Sequence, residues 1–136
     1  MSNIEKTLSI IKPDAVERSL DNEIKEMFKS KGFLIIKEKK IQIEKSEAEK
    51  FYKVHETKPF YDDLCAYLSS GPIVVMVLEK QNAIIDNREL MGATNPEVAD
   101  EGTIRKKYGI SIDKNSVHGS DSPENAKTEI DFFFKD

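Results

Sequence analysis

Cys65 is the only cysteine in the chain, so no intrachain disulfide can close and no cysteine-based zinc site can assemble. A lone thiol suits a reducing compartment, and the expected location is cytoplasmic. Long apolar runs are also missing. The longest, Ile73 to Leu78, falls far short of the ~20 residues that a bilayer span requires. The first residues, Met1 to Ser9, hold no basic segment leading into an apolar stretch, so neither a leader nor a membrane anchor is expected. Basic charge is not in excess either. Lys and Arg number 21 against 25 Asp and Glu, a net charge of -4, which argues against a nucleic-acid platform built on a basic face. A small anion remains within reach, because a few converging cations suffice to hold it. No GxxxxGK[ST] segment, glycine-rich kinase loop or His-Arg-Asp triplet is present, so any phosphate must be held by side chains rather than a backbone cradle. There is no internal repeat or low-complexity tract, and 136 residues are read as one domain, 1–136.

What is present alternates between strand and helix patterns. Thr7 to Ile11 reads as a strand that Pro13-Asp14 ends, leaving Lys12 at its tip. Leu20, Ile24, Met27 and Phe28 mark one helix face, with Gly32 as its C-terminal stop. Phe33 to Ile43 reads as a strand. Ser46-Glu47-Ala48-Glu49 reads as a capping box opening a helix with Ala48, Phe51, Tyr52 and His55 on one side. Tyr61, Leu64, Cys65 and Leu68 form a second helical face after Pro59. Ile73 to Leu78 has the continuous β-branched character of a central strand. Asn82 is expected to cap a helix running to about Met91 that carries Arg88 in its last turn. From Gly92 to Asn115 periodicity fades, and a stretch that long in a compact domain is usually functional or flexible. A final helix is expected from Pro123 to about Phe134, capped by Ser122 and carrying Glu129 at the edge of its apolar stripe.

The densest chemistry lies in Asn115-Ser116-Val117-His118-Gly119-Ser120-Asp121-Ser122-Pro123. Histidine is the side chain whose unperturbed pKa leaves a neutral, nucleophilic fraction near pH 7. Here it runs into a turn where Ser120, Ser122 and the free N–H groups of a starting helix offer hydrogen bonds to an anion. The alternative is a structural histidine bonded within its turn.

This segment resembles the active-site signature of the nucleoside diphosphate kinases. So do Ile11-Lys12-Pro13-Asp14-Ala15-Val16, Lys58-Pro59-Phe60, Ser70-Gly71-Pro72, Asn87-Arg88, Met91-Gly92-Ala93-Thr94-Asn95-Pro96 and Gly102-Thr103-Ile104-Arg105, in the family's order over almost the whole chain. The resemblance implies an α/β (α+β) fold, a ferredoxin-like four-stranded antiparallel sheet covered by helices. It implies transfer of the γ-phosphate of a nucleoside triphosphate, mainly ATP, to nucleoside diphosphates, with Mg²⁺ held mainly by the substrate phosphates and with homo-oligomers built from dimers. By the same resemblance His118 is the nucleophile that becomes phosphohistidine in a ping-pong cycle, and Glu129 orients it. Lys12, Arg88, Thr94, Arg105 and Asn115 would meet phosphate or ribose. Tyr52 is a further expected nucleotide contact, with His55 as a secondary one, although both also suit a core position. Phe60 would stack on the base, with Ile112 and Leu64 near it. Glu101 and Lys106-Lys107 depart from the family pattern of Pro before and Gly-Asp after the Gly-Thr-Ile-Arg segment, and Leu78 stands where tryptophan is common. The rival reading is a catalytically silent nucleotide-binding or scaffolding domain.

Overall fold

The computed structural model describes residues 4–53, 56–111 and 114–134. The elements run β1 (Ile4–Ile11), α1 (Pro13–Glu17), α2 (Asp21–Ser30), β2 (Leu34–Ile41), α3 (Lys45–Phe51), α4 (Tyr61–Leu68), β3 (Ile73–Gln81), α5 (Ala83–Met91), α6 (Ile104–Tyr108), β4 (Val117–Gly119) and α7 (Pro123–Phe133). The strands form one antiparallel sheet in the order β2-β3-β1-β4. Together with the alternation of strands and helices, that order gives the expected ferredoxin-like α+β arrangement.

Strand pleating divides the core into two layers. Ile11 of β1, Val74, Met76 and Leu78 of β3 and Val117 of β4 share one cluster with Ile24, Phe28, Leu90 and Ile104, so α1, α2, α5 and α6 cover that face. Leu8 and Ile10 of β1 and Ile73 and Val75 of β3 point the other way, into a cluster with Ala48, Tyr52, Cys65, Leu68 and Phe133 under α3, α4 and α7. Burial on both faces is the reason β3 reads as an unbroken apolar run. At about 25 cal/mol per Å² of apolar surface, one fully buried leucine or isoleucine in either layer stabilises the fold by roughly 1.5–3 kcal/mol.

Helix ends show where local chemistry was misread. The helix expected from Ser46 starts earlier, with Glu44 as N-cap, and the Glu47 carboxylate takes the Glu44 N–H at 3.1 Å. Asn82 does precede α5, but its backbone is left-handed (φ 57°) and its side chain makes no cap bond; the Ile84 N–H goes instead to Glu5 Oε1 at 3.2 Å. Gly32, with φ 89°, ends α2 as expected. The Ser122 hydroxyl accepts the Asn125 N–H at 3.2 Å and opens α7. The aperiodic stretch after Gly92 is not all loop. It holds a 3₁₀ turn, Pro96–Val98, and α6, whose N-cap Thr103 accepts the Lys106 N–H at 3.3 Å.

Candidate active site

β4 is three residues long and among the described residues pairs with β1 alone, placing His118 opposite Ile10 and Gly119 opposite Ser9. Pleating sends Val117 into the first core layer and turns the His118 ring toward the second, where Phe51 packs edge-on at 5.3 Å between ring centroids and Tyr52 at 6.4 Å. Gly119 is required by proximity. A Cβ there would lie 2.3 Å from the amide nitrogen of Asn87 and 2.8 Å from the methyl of Met91, both on α5.

α7 supplies the partner of the histidine. Glu129 Oε1 lies 3.1 Å from His118 Nε2 and accepts the Ser120 hydroxyl at 2.8 Å. An ionised carboxylate only accepts, so Nε2 carries the ring hydrogen and the lone pair sits on Nδ1. Ser120 departs from its expected role. It is fully buried, its hydroxyl is committed to Glu129, and its oxygen accepts the Leu8 N–H at 3.3 Å, so it steadies the carboxylate instead of offering a bond to an anion. Ser122 is likewise engaged as the helix cap.

A second group assembles at the tip of β1. Lys12 Nζ donates to Asn115 Oδ1 at 3.0 Å, and Asn115 Nδ2 donates to the Thr94 carbonyl at 3.1 Å. One chain of bonds thus joins three of the expected nucleotide contacts. Lys12 and Asn115 are both buried despite their polarity. Such groups hold their places only when hydrogen-bonded.

Arg105 in α6 spans the two groups. Its two terminal nitrogens donate to the Gly92 and Val117 carbonyls, each at 2.9 Å, while Nε is buried with no hydrogen-bond partner among the described residues. Burial, and then the charge of Arg88, lower its guanidinium to a pKa of about 10. Arg88 and Arg105 share one cleft with Glu89, and an anion bound there would offset the repulsion between the two cations. With Thr94, Met91, Gly92 and Ala93 they line a cleft of about 340 Å³, while His118, Glu129, Phe51 and Asp121 line a smaller one of about 150 Å³. Clefts of about 420 and 430 Å³ elsewhere contain none of the candidate residues, so chemistry rather than volume marks the site.

The remaining expected contacts are placed as follows. Phe60 precedes α4 with 46 % of its surface exposed, and Leu64 one turn later is half-buried. Tyr52 is buried beyond the end of α3, and burial raises its phenol pKa so that it stays protonated. His55 and Ile112 lie outside the described residues. Two contributors were not foreseen: Phe51, which packs on the histidine ring, and Ser120 in its bond to Glu129. Phe51 could have been found from the same helical face that was assigned to Tyr52.

The donors that converge here are ammonium, guanidinium, amide and hydroxyl groups. They suit phosphate oxygens, and suit a divalent cation only if it arrives already bound to phosphate.

Comparison with known proteins gives one answer. The family model described as nucleoside diphosphate kinase matches residues 5–136. Similar curated proteins include nucleoside diphosphate kinases of Geobacter sulfurreducens, 57% identical with 96% of both chains covered, and of Persephonella marina, 55% identical over 97% of this chain and 94% of that one. Among solved structures, the Aquifex aeolicus nucleoside diphosphate kinase superposes with a TM-score of 0.94 at 41% identity, covering 97% of this chain and 96% of that one.

Proposed function

The chain belongs to the nucleoside diphosphate kinase family, and we propose that its phosphoryl transfer runs through His118, with Glu129 as the orienting carboxylate. The observation that carries this reading is the Glu129 to His118 Nε2 contact at 3.1 Å, which leaves the Nδ1 lone pair as the free nucleophile. Nδ1 attacks the γ-phosphorus of a nucleoside triphosphate, the bond from that phosphorus to the β-phosphate oxygen breaks, and the diphosphate leaves. The imidazole is then cationic and N-phosphorylated, and the Glu129 carboxylate offsets that charge. A terminal phosphate oxygen of a second nucleoside diphosphate attacks the same phosphorus, the N–P bond breaks, and the ring returns to its neutral form. One site serves both halves, so the kinetics are ping-pong.

Arg105 and Arg88 neutralise the anionic oxygens of the transferring group. Lys12 and Asn115, already fixed to each other, present an ammonium and an amide to phosphate or ribose, and Thr94 adds a hydroxyl. Phe60 gives the base an aromatic face without reading its edge, which supports broad base tolerance. Leu64, Tyr52, His55 and Ile112 are further candidate contacts. Mg²⁺ would be held mainly by the phosphates of the nucleotide and would supply further charge neutralisation there, beside that of Lys12, Arg88 and Arg105.

A single domain and a cytoplasmic location complete the reading; the lone buried thiol supports the location. No helix among the described residues is long and apolar enough to cross a membrane. Homo-oligomers built from dimers are supported by the edge strand β2, where Leu34 and Ile36 stand exposed. The test is incubation with Mg²⁺ and γ-labelled ATP. Acid-labile, alkali-stable label that chases onto GDP and is absent in His118→Ala supports the reading. Nucleotide binding without label in the wild type would replace it with a silent nucleotide-binding domain.

A further inference from the structure

Phosphoryl transfer as described makes no use of an ionic cluster beside the site, built on the buried carboxylate of Asp14 and the exposed Arg18. Asp14 of α1 is 5% exposed, and its carboxylate accepts from the Ser116 hydroxyl at 3.0 Å, from Arg18 Nη2 at 3.1 Å and from the Tyr67 hydroxyl. Tyr67 in turn takes the Asp14 N–H at 2.9 Å. Arg18 Nη2 extends the cluster to the Tyr108 carbonyl at 2.5 Å and to Ser116 Oγ at 3.4 Å. The turn before β4 is thereby tied to α1, α4 and α6.

Ser116 is fully buried and has φ 76°. The Val117 N–H donates to the Asn115 carbonyl at 3.0 Å, a bond between residues two apart, so Ser116 is the centre of the rare, strained form of γ-turn. Its carbonyl accepts the Lys12 N–H at 2.8 Å. On one side of this turn Asn115 meets Lys12 and Thr94; on the other, two residues along, His118 meets Glu129. Relaxing Ser116 to an ordinary backbone conformation would rotate the flanking peptides and separate those two groups.

We propose that Asp14, gripped by Tyr67 and Arg18, is a positioning residue for phosphoryl transfer: by holding Ser116 in its γ-turn it sets the spacing between the Lys12–Asn115 pair and His118. The inference rests on His118 being the nucleophile. The bonds of the Asp14 carboxylate run to Ser116, Arg18 and Tyr67, so its effect on His118 is transmitted by the turn.

The experiment is a double-mutant cycle of Asp14→Asn and Ser116→Gly, read as the single-turnover rate of phosphoenzyme formation at saturating Mg²⁺ and ATP, with melting temperature followed in parallel. Label on His118 in the wild type is established first, so that failure of the nucleophile reading is seen separately. Glycine adopts the positive φ without penalty and needs no grip. D14N should slow the wild-type background at least fivefold, and should cost no more than a third of that factor in the S116G background. A purely structural role for Asp14 lowers the melting temperature in both backgrounds and leaves the two rate factors equal. Equal factors, or a loss under fivefold in the wild-type background, overturn the proposal. If D14N does not fold, Tyr67→Phe, which removes one oxygen, takes its place in the cycle. Its expected loss is about threefold, shrinking toward none with S116G, and an undiminished loss there likewise overturns it.

Discussion

Exchanging Glu129 for glutamine leaves the side chain the same size and removes one charge, and it should slow formation of the phosphoenzyme by about 30- to 150-fold. The carboxylate oxygen that faces His118 Nε2 at 3.1 Å also takes the Ser120 hydroxyl at 2.8 Å. A charge-assisted bond contributes about 1.5–3 kcal/mol against about 1 for a neutral one, so its loss alone is worth ~0.5–2 kcal/mol. The charge matters again when the ring becomes cationic. Two unit charges about 4 Å apart attract by ~4 kcal/mol at an effective dielectric of 20, and solvent reduces this because the His118 and Glu129 side chains are 22% and 19% exposed. A total of ~2–3 kcal/mol, at 1.36 kcal/mol per tenfold, gives the stated range. The amide can also turn its NH₂ toward the imidazole, forcing the hydrogen onto Nδ1 and removing the attacking lone pair. Rapid-quench single turnovers with labelled ATP measure the rate, and thermal unfolding checks the fold. A folded E129Q enzyme within threefold of the wild type would refute the argument that this carboxylate sets the tautomer.

Gly92 has φ 84° and ψ -176°, a region essentially closed to other residues, and a Cβ there would lie 2.6 Å from Thr103 Oγ1. Gly92→Ala should therefore cost about 2–6 kcal/mol of strain and overpacking and lower the melting temperature by roughly 7–20 °C; a drop under 3 °C in calorimetry would contradict it. Phe60→Ala should weaken purine and pyrimidine diphosphates alike, by roughly 5- to 150-fold for a lost stacking contact, and titrations that show a loss for one base only would disprove general stacking. The lowered pKa of Arg105, about 10, predicts an alkaline limit. Between that value and the higher one of the unfolded chain, the unfolded state holds the extra proton. The burial penalty on the cation is thus fully present below pH 10 and fades above it. Phosphate binding needs the cation, so affinity for a nucleoside diphosphate should fall as pH rises through 10, and a flat calorimetric profile from pH 8 to 10.5 would count against Arg105 as a phosphate ligand.

How far the sequence discloses this molecule depends on whether the signal is local. β1, α2 and β3 follow from side-chain period, and α7 follows from Ser122 and Pro123, because each feature is set by residues within a turn of one another. α6 was hidden, since five residues are too few to show a period and Thr103 alone announces them. The start of α5 misled for another reason: Asn82 has the right chemistry for a cap, but the bond comes from Glu5 in another strand. At the site, the structure joins Lys12, Asn115 and Thr94 in one chain of bonds and sets Glu129 on the His118 ring. The bonds that fix them join positions far apart in sequence, such as Lys12 to Asn115 and Arg105 to Val117, and no periodicity reports those.

That non-local character follows from where β4 lies. An edge strand pairs on one side only, and this one borrows its order from both layers of the domain. Arg105, from the layer that holds α6, reaches the Val117 carbonyl, and Glu129, from the layer that holds α7, reaches the His118 ring. A strand in the middle of the sheet would have both faces filled with apolar side chains, as β3 does, leaving no room for a ring open to substrate. At the edge, three residues suffice: Val117 anchors in one core, His118 turns toward the other, and Gly119 yields space to Asn87. The strained Ser116 is the cost of turning the chain into so short a strand, and it places the Lys12–Asn115 pair and the His118–Glu129 pair on either side of a single peptide reversal.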